Sequence, residues 1–334
     1  MRAYLAHTAD RPVYLSTRRS IHRPILRSID IMIVRPRENW FRLLFIWNGS
    51  VLSSIIPQLC FMAVVSILAV LTHGRVFGEK IPLNTAPFTL FGVALAIFLA
   101  FRNNASYERF NEARHLWGSL LIASRTLTSQ MLCYVPERVD TLLIAQRLIA
   151  FIYALKHELR GTDPMPDLTR LLGSDQAARL ADQCYKPAAL LNEIRRDLSM
   201  PQHRMHTSDT KLWMFDAQLL ELGRSLGGCE RIASTPIPFA YNVLLHRTVY
   251  AYCVLLPFGL VDSTEFFTPL LCVFISYTLI ALEAIASEVA DPFSVAPNAL
   301  ALDAMSRNIE RSVLELCGCP IPDPVQPVRP YQLT

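Results

Sequence analysis

Side chains able to do acid–base or metal chemistry cluster in one short stretch of this sequence, Lys156-His157-Glu158. The stretch lies in a pattern of apolar residues typical of a helix, and no partner ligands stand at the spacing that metal sites use. The sequence also contains none of the motifs H-E-x-x-H, G-x-x-x-x-G-K-S/T and G-x-S-x-G. These observations predict a surface role for the stretch and no enzymatic activity.

The eight cysteines show no spacing that predicts a disulfide framework or a metal site. Cys60, Cys253 and Cys272 lie in apolar runs, where cysteine usually serves as a small packing residue. Cys317 and Cys319 form C-x-C rather than the C-x-x-C of redox and zinc motifs. We therefore expect no bound metal and no cofactor.

The elements around these residues have the composition of membrane helices. Hydrophobic residues make up 52% of the 334 residues, charged residues only 18%, and the mean hydropathy is +0.29. A helix needs about 20 mainly apolar residues to cross a bilayer. Residues 43–74 and 81–101 are charge-free runs of 32 and 21 residues, and residues 248–261 and 266–282 are shorter runs of 14 and 17. Extending the third run back to residue 239 gives 23 residues, so four membrane spans are predicted.

The distribution of arginine predicts the orientation of these spans. Residues 1–42 contain nine Arg and no Lys against three acidic residues, and such positive flanks stay cytoplasmic. Both termini are therefore expected in the cytoplasm, with no cleavable signal peptide and with Met32 as an alternative translation start. The predicted regions are an Arg-rich arm (1–42), spans one and two (43–101), a cytoplasmic helical domain (102–238), spans three and four (239–282), and a cytoplasmic C-terminal helix with a Pro-rich tail (283–334).

The cytoplasmic region is predicted to be helical throughout. Apolar residues recur at helical spacing over residues 139–160 and again after Ser208-Asp209, which is suited to cap a helix that ends at Gly227-Gly228. Residues 298–318 predict a further amphipathic helix, and five prolines within residues 320–330 exclude its continuation. Alternating strand patterns are absent, so an all-α fold is expected.

Two stripes with four-residue spacing run along the second predicted span. The bulky stripe consists of Val93, Ile97 and Phe101, and the small stripe consists of Gly92, Ala96 and Ala100. Small residues at this spacing let membrane helices approach closely. Several copies packed around an axis through the small stripe would turn the bulky stripe into an apolar constriction about 12 Å long, which gates ions by dewetting. From the pattern alone, ordinary helix packing is the simpler interpretation.

Six further short stretches have distinctive sequences. They are FRNNASYERFNEAR at 101–114, LWG at 116–118, LGGCER at 226–231, TPIPFAY at 235–241, RTVY at 247–250 and DPF at 291–293. In this order they resemble the prokaryotic branch of the bestrophin channel family, over about residues 32–318. The resemblance implies a homopentameric ion channel of the bacterial plasma membrane, with four membrane segments per subunit and a large helical cytosolic region. Its partners would be its own copies, monovalent ions and the lipid bilayer, without nucleic acid.

The resemblance also implies roles for particular residues. It places a narrow pore neck at the bulky stripe found by spacing, Val93, Ile97 and Phe101, and a second, cytosolic aperture at Thr210. Candidates to line a vestibule follow the neck along the same helix: Arg102, Asn103, Asn104, Glu108 and Glu112.

Ion selectivity stays open at this point. An apolar neck offers no fixed charge, so selectivity depends on vestibule charges and on dehydration. The family implies chloride and other anions, whereas some prokaryotic members resemble channels for monovalent cations such as sodium. A non-conducting membrane scaffold is a further alternative, since the Pro-rich tail offers a docking ligand.

Calcium activation is not expected. Animal bestrophins bind calcium through an acidic run shortly after an Asn-Pro-Phe segment. Here Asp291-Pro-Phe293 is followed by no carboxylate until Asp303, and calcium requires several oxygen ligands around one ion.

Overall fold

A computed structural model describes residues 40–43, 50–76, 79–80, 85–134, 138–199 and 209–327. Residues 1–39 of the Arg-rich arm, among them Met32, lie outside the described residues, and so do Ser208 and the last residues of the Pro-rich tail, together with the predictions made for them. The regular secondary structure of the described residues is helical apart from one antiparallel ribbon, which pairs β1 (Arg75–Val76) with β2 (Glu79–Lys80). The all-α expectation is therefore confirmed.

Eleven α-helices follow one another in the part of the chain that the structure describes. They are α1 (Trp40–Leu43), α2 (Leu52–Leu71), α3 (Thr85–Tyr134), α4 (Arg138–Arg160), α5 (Met165–Leu172), α6 (Ser174–Ala181), α7 (Lys186–Ser199), α8 (Asp209–Ser234), α9 (Phe239–Thr264), α10 (Thr268–Ala290) and α11 (Leu302–Leu316).

Helices α2, α3, α9 and α10 form one apolar bundle. Among the described residues, three stretches are long and apolar enough to cross a membrane, Leu52–Leu71, Phe88–Tyr134 and Phe239–Ala290. A 3-10 turn at Glu265–Phe267 breaks the third stretch, and Glu265 there has a φ of 42°. The two parts, α9 and α10, pack against each other, and each also contacts α2 and α3. The two shorter apolar runs of the sequence thus fold as separate helices.

A single buried seam runs along α3, a continuous helix of 50 residues. Its members are three or four residues apart, which keeps them on one helix face. They are Leu95, Leu99, Arg102, Ser106, Phe110, Ala113, Trp117, Leu120, Ser124, Leu127 and Met131. The first two belong to the core of the apolar bundle, and the part from Phe110 onward belongs to a second core. One helix therefore connects the two cores without a break at the predicted boundary between residues 101 and 102.

Helix α4 is central to the second core, because residues 148–156 are all buried. Helices α5, α7, α8 and α11 pack around it. The buried stretch ends on Lys156, whose Nζ donates to carboxylate oxygens of Asp167 at 3.3 Å and of Asp303 at 2.9 Å. A buried ammonium group requires such partners. The two contacts fasten α5 and α11 to α4.

Helix α8 continues through Gly227-Gly228 to Ser234, so the prediction that it ends at these glycines is wrong. A Cβ atom at Gly228 would lie 2.8 Å from both Cδ atoms of Leu116 in α3. The absence of a side chain at Gly228 lets the two helices approach closely. The glycine serves packing rather than helix termination.

Candidate functional site

The bulky stripe lies on an exposed face of α3. Val93, Ile97 and Phe101 are 53%, 51% and 65% exposed. Leu95 and Leu99, on the same turns of the helix, are buried. At about 100° per residue, the bulky stripe and the seam lie on roughly opposite sides of α3. The core of this chain therefore leaves the bulky stripe uncovered.

The small stripe is divided between two environments. Gly92 faces α9, because a Cβ atom there would overlap the hydroxyl of Tyr252 and lie 3.0 Å from its Cζ. The ring of Tyr252 stacks on Phe88 with a centroid distance of 4.6 Å, which fixes its position. Ala96 and Ala100 are exposed. Gly92 thus serves packing within the chain, and the two alanines are left uncovered beside the bulky stripe.

Arg102 is buried, which contradicts its predicted place in a vestibule. It follows Leu99 by three residues on the seam and is only 2% exposed. Its Nη1 donates to Glu283 Oε1 of α10 at 3.0 Å. A cation at the end of an apolar run ordinarily reaches toward water, whereas Arg102 turns to a carboxylate inside the protein. The spacing from Leu95 and Leu99 was the signal for burial.

Asn103 and Asn104 differ in what they contact. Asn103 is half-buried and donates from Nδ2 to the carbonyl oxygen of Leu99 at 3.1 Å, within its own helix. Asn104 is exposed, and its Nδ2 donates to Oε1 of the exposed Glu108 at 3.1 Å. By helical rotation, Asn104 and Glu108 continue the face of the bulky stripe. These two residues are the first polar groups that follow the bulky stripe along its own side of α3.

Helix α8 runs antiparallel along α3 and carries the predicted aperture residue. Near the end of α8, Arg231 pairs with Glu112 of α3, and Glu112 is exposed. At the start of α8, Lys211 Nζ donates to the carbonyl oxygen of Tyr134 at 3.3 Å. Thr210, next to Lys211, is exposed. Thr210 therefore lies beside the far end of α3, about 50 Å along the helix from Phe101.

The stretch Lys156-His157-Glu158 has a structural role, but the surface placement predicted for Lys156 is wrong because this residue is buried. His157 Nε2 lies 3.0 Å from Asp167. The Glu158 side chain is exposed, but partial burial of its carboxyl group and the neighbouring Glu230 carboxylate raise the pKa of Glu158 to about 7, against the opposing effect of Lys186. The stretch thus belongs to the contacts between α4 and its neighbours.

Asp303 is engaged by cations of its own chain. Its Oδ1 accepts a hydrogen bond from Lys156, and its Oδ2 accepts one from Arg160 at 2.6 Å. Burial favours a higher pKa for Asp303, but Lys156 and Arg160 outweigh this effect and hold the pKa below its usual value. Within the residues that the structure describes, no group of three or more His, Cys, Asp or Glu side chains could hold a metal ion.

Comparison with known proteins identifies the class to which this fold and this helix belong. Residues 32–315 match the bacterial/fungal bestrophin family. The chain belongs to that family, and its apolar helices make it a membrane protein. Membership of the bestrophin family, expected from the sequence resemblance, is confirmed.

Individual relatives are similar over nearly their whole length. A voltage-dependent anion channel-forming protein of Ralstonia nicotianae is 44% identical over 292 residues, which cover 86% of this chain and 95% of that protein. The voltage-dependent anion channel-forming protein YneE of Escherichia coli is 40% identical, with 91% of this chain and 100% of that protein covered. A crystal structure of a bacterial bestrophin homologue from Klebsiella pneumoniae superposes with a TM-score of 0.77 at 43% identity, covering 80% of this chain and 99% of that one.

Proposed function

We propose that this protein is a homopentameric anion channel whose pore neck is formed by Val93, Ile97 and Phe101. The observation that carries the proposal is the exposure of these three apolar side chains on the face of α3 opposite its buried seam. Relatives that carry the name of anion channel-forming proteins support anions as the conducted ions. Those names give no support to the sodium-selective alternative.

A ring of subunits accounts for the uncovered face. An apolar stripe on a membrane-spanning helix can face lipid or other subunits, and identical copies around an axis supply the second environment through closed symmetry. Ala96 and Ala100 beside the stripe allow neighbouring α3 helices to approach closely. The bulky stripes then face one another across the axis and form a constriction that resists wetting.

Selectivity in such a neck arises from dehydration rather than from fixed charge. No charged residue precedes Arg102 in α3, and the Arg102 guanidinium is engaged by Glu283 away from the bulky stripe. Large, weakly hydrated anions lose less hydration free energy on entering an apolar constriction than small, strongly hydrated anions do. Asn104 and Glu108 form the first polar layer after the neck, and Thr210 forms the aperture at the far end of α3.

The proposed channel lies in the bacterial inner membrane with both termini in the cytoplasm. Residues 43–101 and 239–282 supply the four membrane segments, and the Arg-rich arm at 1–42 and residues 102–238 and 283–334 are cytosolic. The partners are identical copies, monovalent ions and lipid. We propose no enzymatic activity for this protein.

The test is the current through purified protein reconstituted in a voltage-controlled lipid bilayer under a KCl gradient. We expect a measurable current whose reversal potential lies near that of chloride. A reversal potential near that of potassium would contradict anion selectivity. The absence of any current would favour the non-conducting scaffold and overturn the proposal.

A further inference from the structure

In each of the apolar helices α3 and α10, the charge-free part ends at one charged residue. These two charged residues are in contact. Arg102 is the first charged residue of α3, and Glu283 is the first charged residue of α10. Their side chains are 2% and 12% exposed, and Nη1 of Arg102 lies 3.0 Å from Oε1 of Glu283. The pair therefore lies at the level of Phe101, the last residue of the bulky stripe.

A third helix reaches the same carboxylate oxygen. Nδ1 of His246 in α9 lies 3.5 Å from Oε1 of Glu283. The imidazole ring of His246 lies 4.4 Å from the ring of Tyr250 on the next turn of α9. A single carboxylate thus joins α3, α9 and α10 behind the last residue of the bulky stripe.

We propose that Arg102 and Glu283 are positioning residues that hold the neck open by fixing α3 to α10. A buried ion pair contributes little net stability compared with apolar residues of the same shape, but removing one partner leaves an unpaired buried charge. Such a pair specifies the rotation and register of two helices more than it strengthens their packing. A slip of one helical turn, about 5.4 Å, would break the contact.

The inference rests on the proposed function, because it needs the bulky stripe to face the pore axis. Arg102 lies on the opposite side of α3 from the start of that stripe. Glu283 therefore contacts α3 on the side away from the pore axis and keeps the helix from moving toward the axis. Without this contact, neck side chains from different subunits close on one another, since their contact removes apolar surface from water. The neck narrows, and anion flux falls.

The experiment is a flux assay on purified full-length protein in liposomes, normalised to the amount of assembled oligomer found by size-exclusion chromatography. The variants are Arg102→Ala, Glu283→Gln and the exchanged pair Arg102→Glu with Glu283→Arg. Glu283→Gln preserves side-chain shape and removes only charge, so it carries the test if Arg102→Ala fails to assemble. Arg195→Ala is the matched control, because it breaks an exposed ion pair with Asp216 on the polar surface.

We expect each single variant to lose flux per oligomer by about fivefold or more, a typical size for coupling between distinct sites. The exchanged pair should recover most of the loss, and Arg195→Ala should match the wild type. Wild-type flux in both single variants, or an exchanged pair no better than either of them, would overturn the inference while the proposed function stands. A silent wild type would overturn the proposed function and this inference with it.

Discussion

Nε of Arg109 in α3 donates a hydrogen bond of 2.9 Å to the carbonyl oxygen of Ala290, the last residue of α10. The same guanidinium donates to the carbonyl oxygens of Ile232 and Thr235 at the end of α8. Carbonyl groups at a helix end have no partner within their own helix. One side chain therefore satisfies the ends of two helices and joins both to α3.

Replacing Arg109 with alanine should destabilise the protein by about 2 kcal/mol, because charge-assisted hydrogen bonds to carbonyl groups are lost. Arg109→Lys should restore little of the lost stability, since a single ammonium group lacks the planar guanidinium geometry that reaches three acceptors. Thermal unfolding in detergent measures the stability of both variants. The control is an alanine substitution of the exposed Arg125 in the same helix. Equal melting temperatures for Arg109→Ala and Arg125→Ala would contradict the role of Arg109.

The contact of Gly92 with Tyr252 predicts a pair of compensating substitutions. Gly92→Ala should destabilise the bundle by about 1–3 kcal/mol through overpacking against the Tyr252 ring. Tyr252→Phe removes the hydroxyl and should recover part of this loss in the double variant. Gly118→Ala is the control on the same helix, because a Cβ atom there meets nothing within 4 Å, and it should be neutral or stabilising. Additive effects of the two substitutions would show that Gly92 and Tyr252 do not interact.

The Glu158 carboxyl predicts a pH dependence of stability. Its pKa rises from 4.5 to about 7 through burial and the neighbouring Glu230, so the folded state holds this proton more tightly than the unfolded state. The resulting stability is fully present below about pH 4.5 and is lost as the pH rises toward 7. Glu158→Gln should therefore be more stable than the wild type at about pH 8, by roughly 0.5 kcal/mol given solvent screening.

At about pH 4 the side chain at position 158 is neutral in both the wild type and Glu158→Gln, so the two proteins should be equally stable. Unfolding curves at both pH values make the comparison, with Glu221→Gln on the surface of α8 as the control. A stability difference that is the same at both pH values would refute the titration of Glu158 in the folded state.

The engagement of Asp303 by Lys156 and Arg160 predicts that calcium does not activate the channel. A calcium ion requires several oxygen ligands, and both carboxylate oxygens of Asp303 accept hydrogen bonds from cations of the chain. Flux through purified protein should be unchanged when calcium is added at about 1 mM, well above the range that sensor sites use. A calcium-dependent rise in wild-type flux would be incompatible with this account.

Sequence reasoning succeeded where a local period carried the information. The spacing of Val93, Ile97 and Phe101 placed these residues on one face of a helix, and the structure exposes that face. The shorter apolar runs after residue 239 likewise became two helices, since the polar residues between them interrupt the run at Glu265.

Sequence reasoning failed where the deciding contact was distant in the chain. The spacing of Arg102 from Leu95 and Leu99 indicates its burial, but its partner Glu283 lies 181 residues away, and no local pattern reveals that partner. The sequence predicts a helix end at Gly228 because glycine is frequent at helix ends, whereas the proximity of Leu116 explains this glycine. The sequence predicts Lys156 at the surface, because the acidic partners on α5 and α11 that permit its burial cannot be identified from spacing.

The central claim is that the bulky stripe of α3 limits the flow of anions. Phe101 and Phe274 of α10 make a matched pair of apolar helix residues, since they are 65% and 66% exposed in the single chain. Removing the Phe101 ring should widen the constriction and lower its dehydration cost, whereas removing the Phe274 ring should leave the pore unchanged. A barrier lowered by about 1.4 kcal/mol raises a rate about tenfold.

The most direct measurement is chloride flux per assembled oligomer in liposomes for the wild type, Phe101→Ala, Ile97→Ala and Phe274→Ala. The account predicts that Phe101→Ala and Ile97→Ala conduct several times faster than the wild type and that Phe274→Ala matches it. Equal flux in the wild type and all three variants would contradict the assignment of the neck to this face of α3.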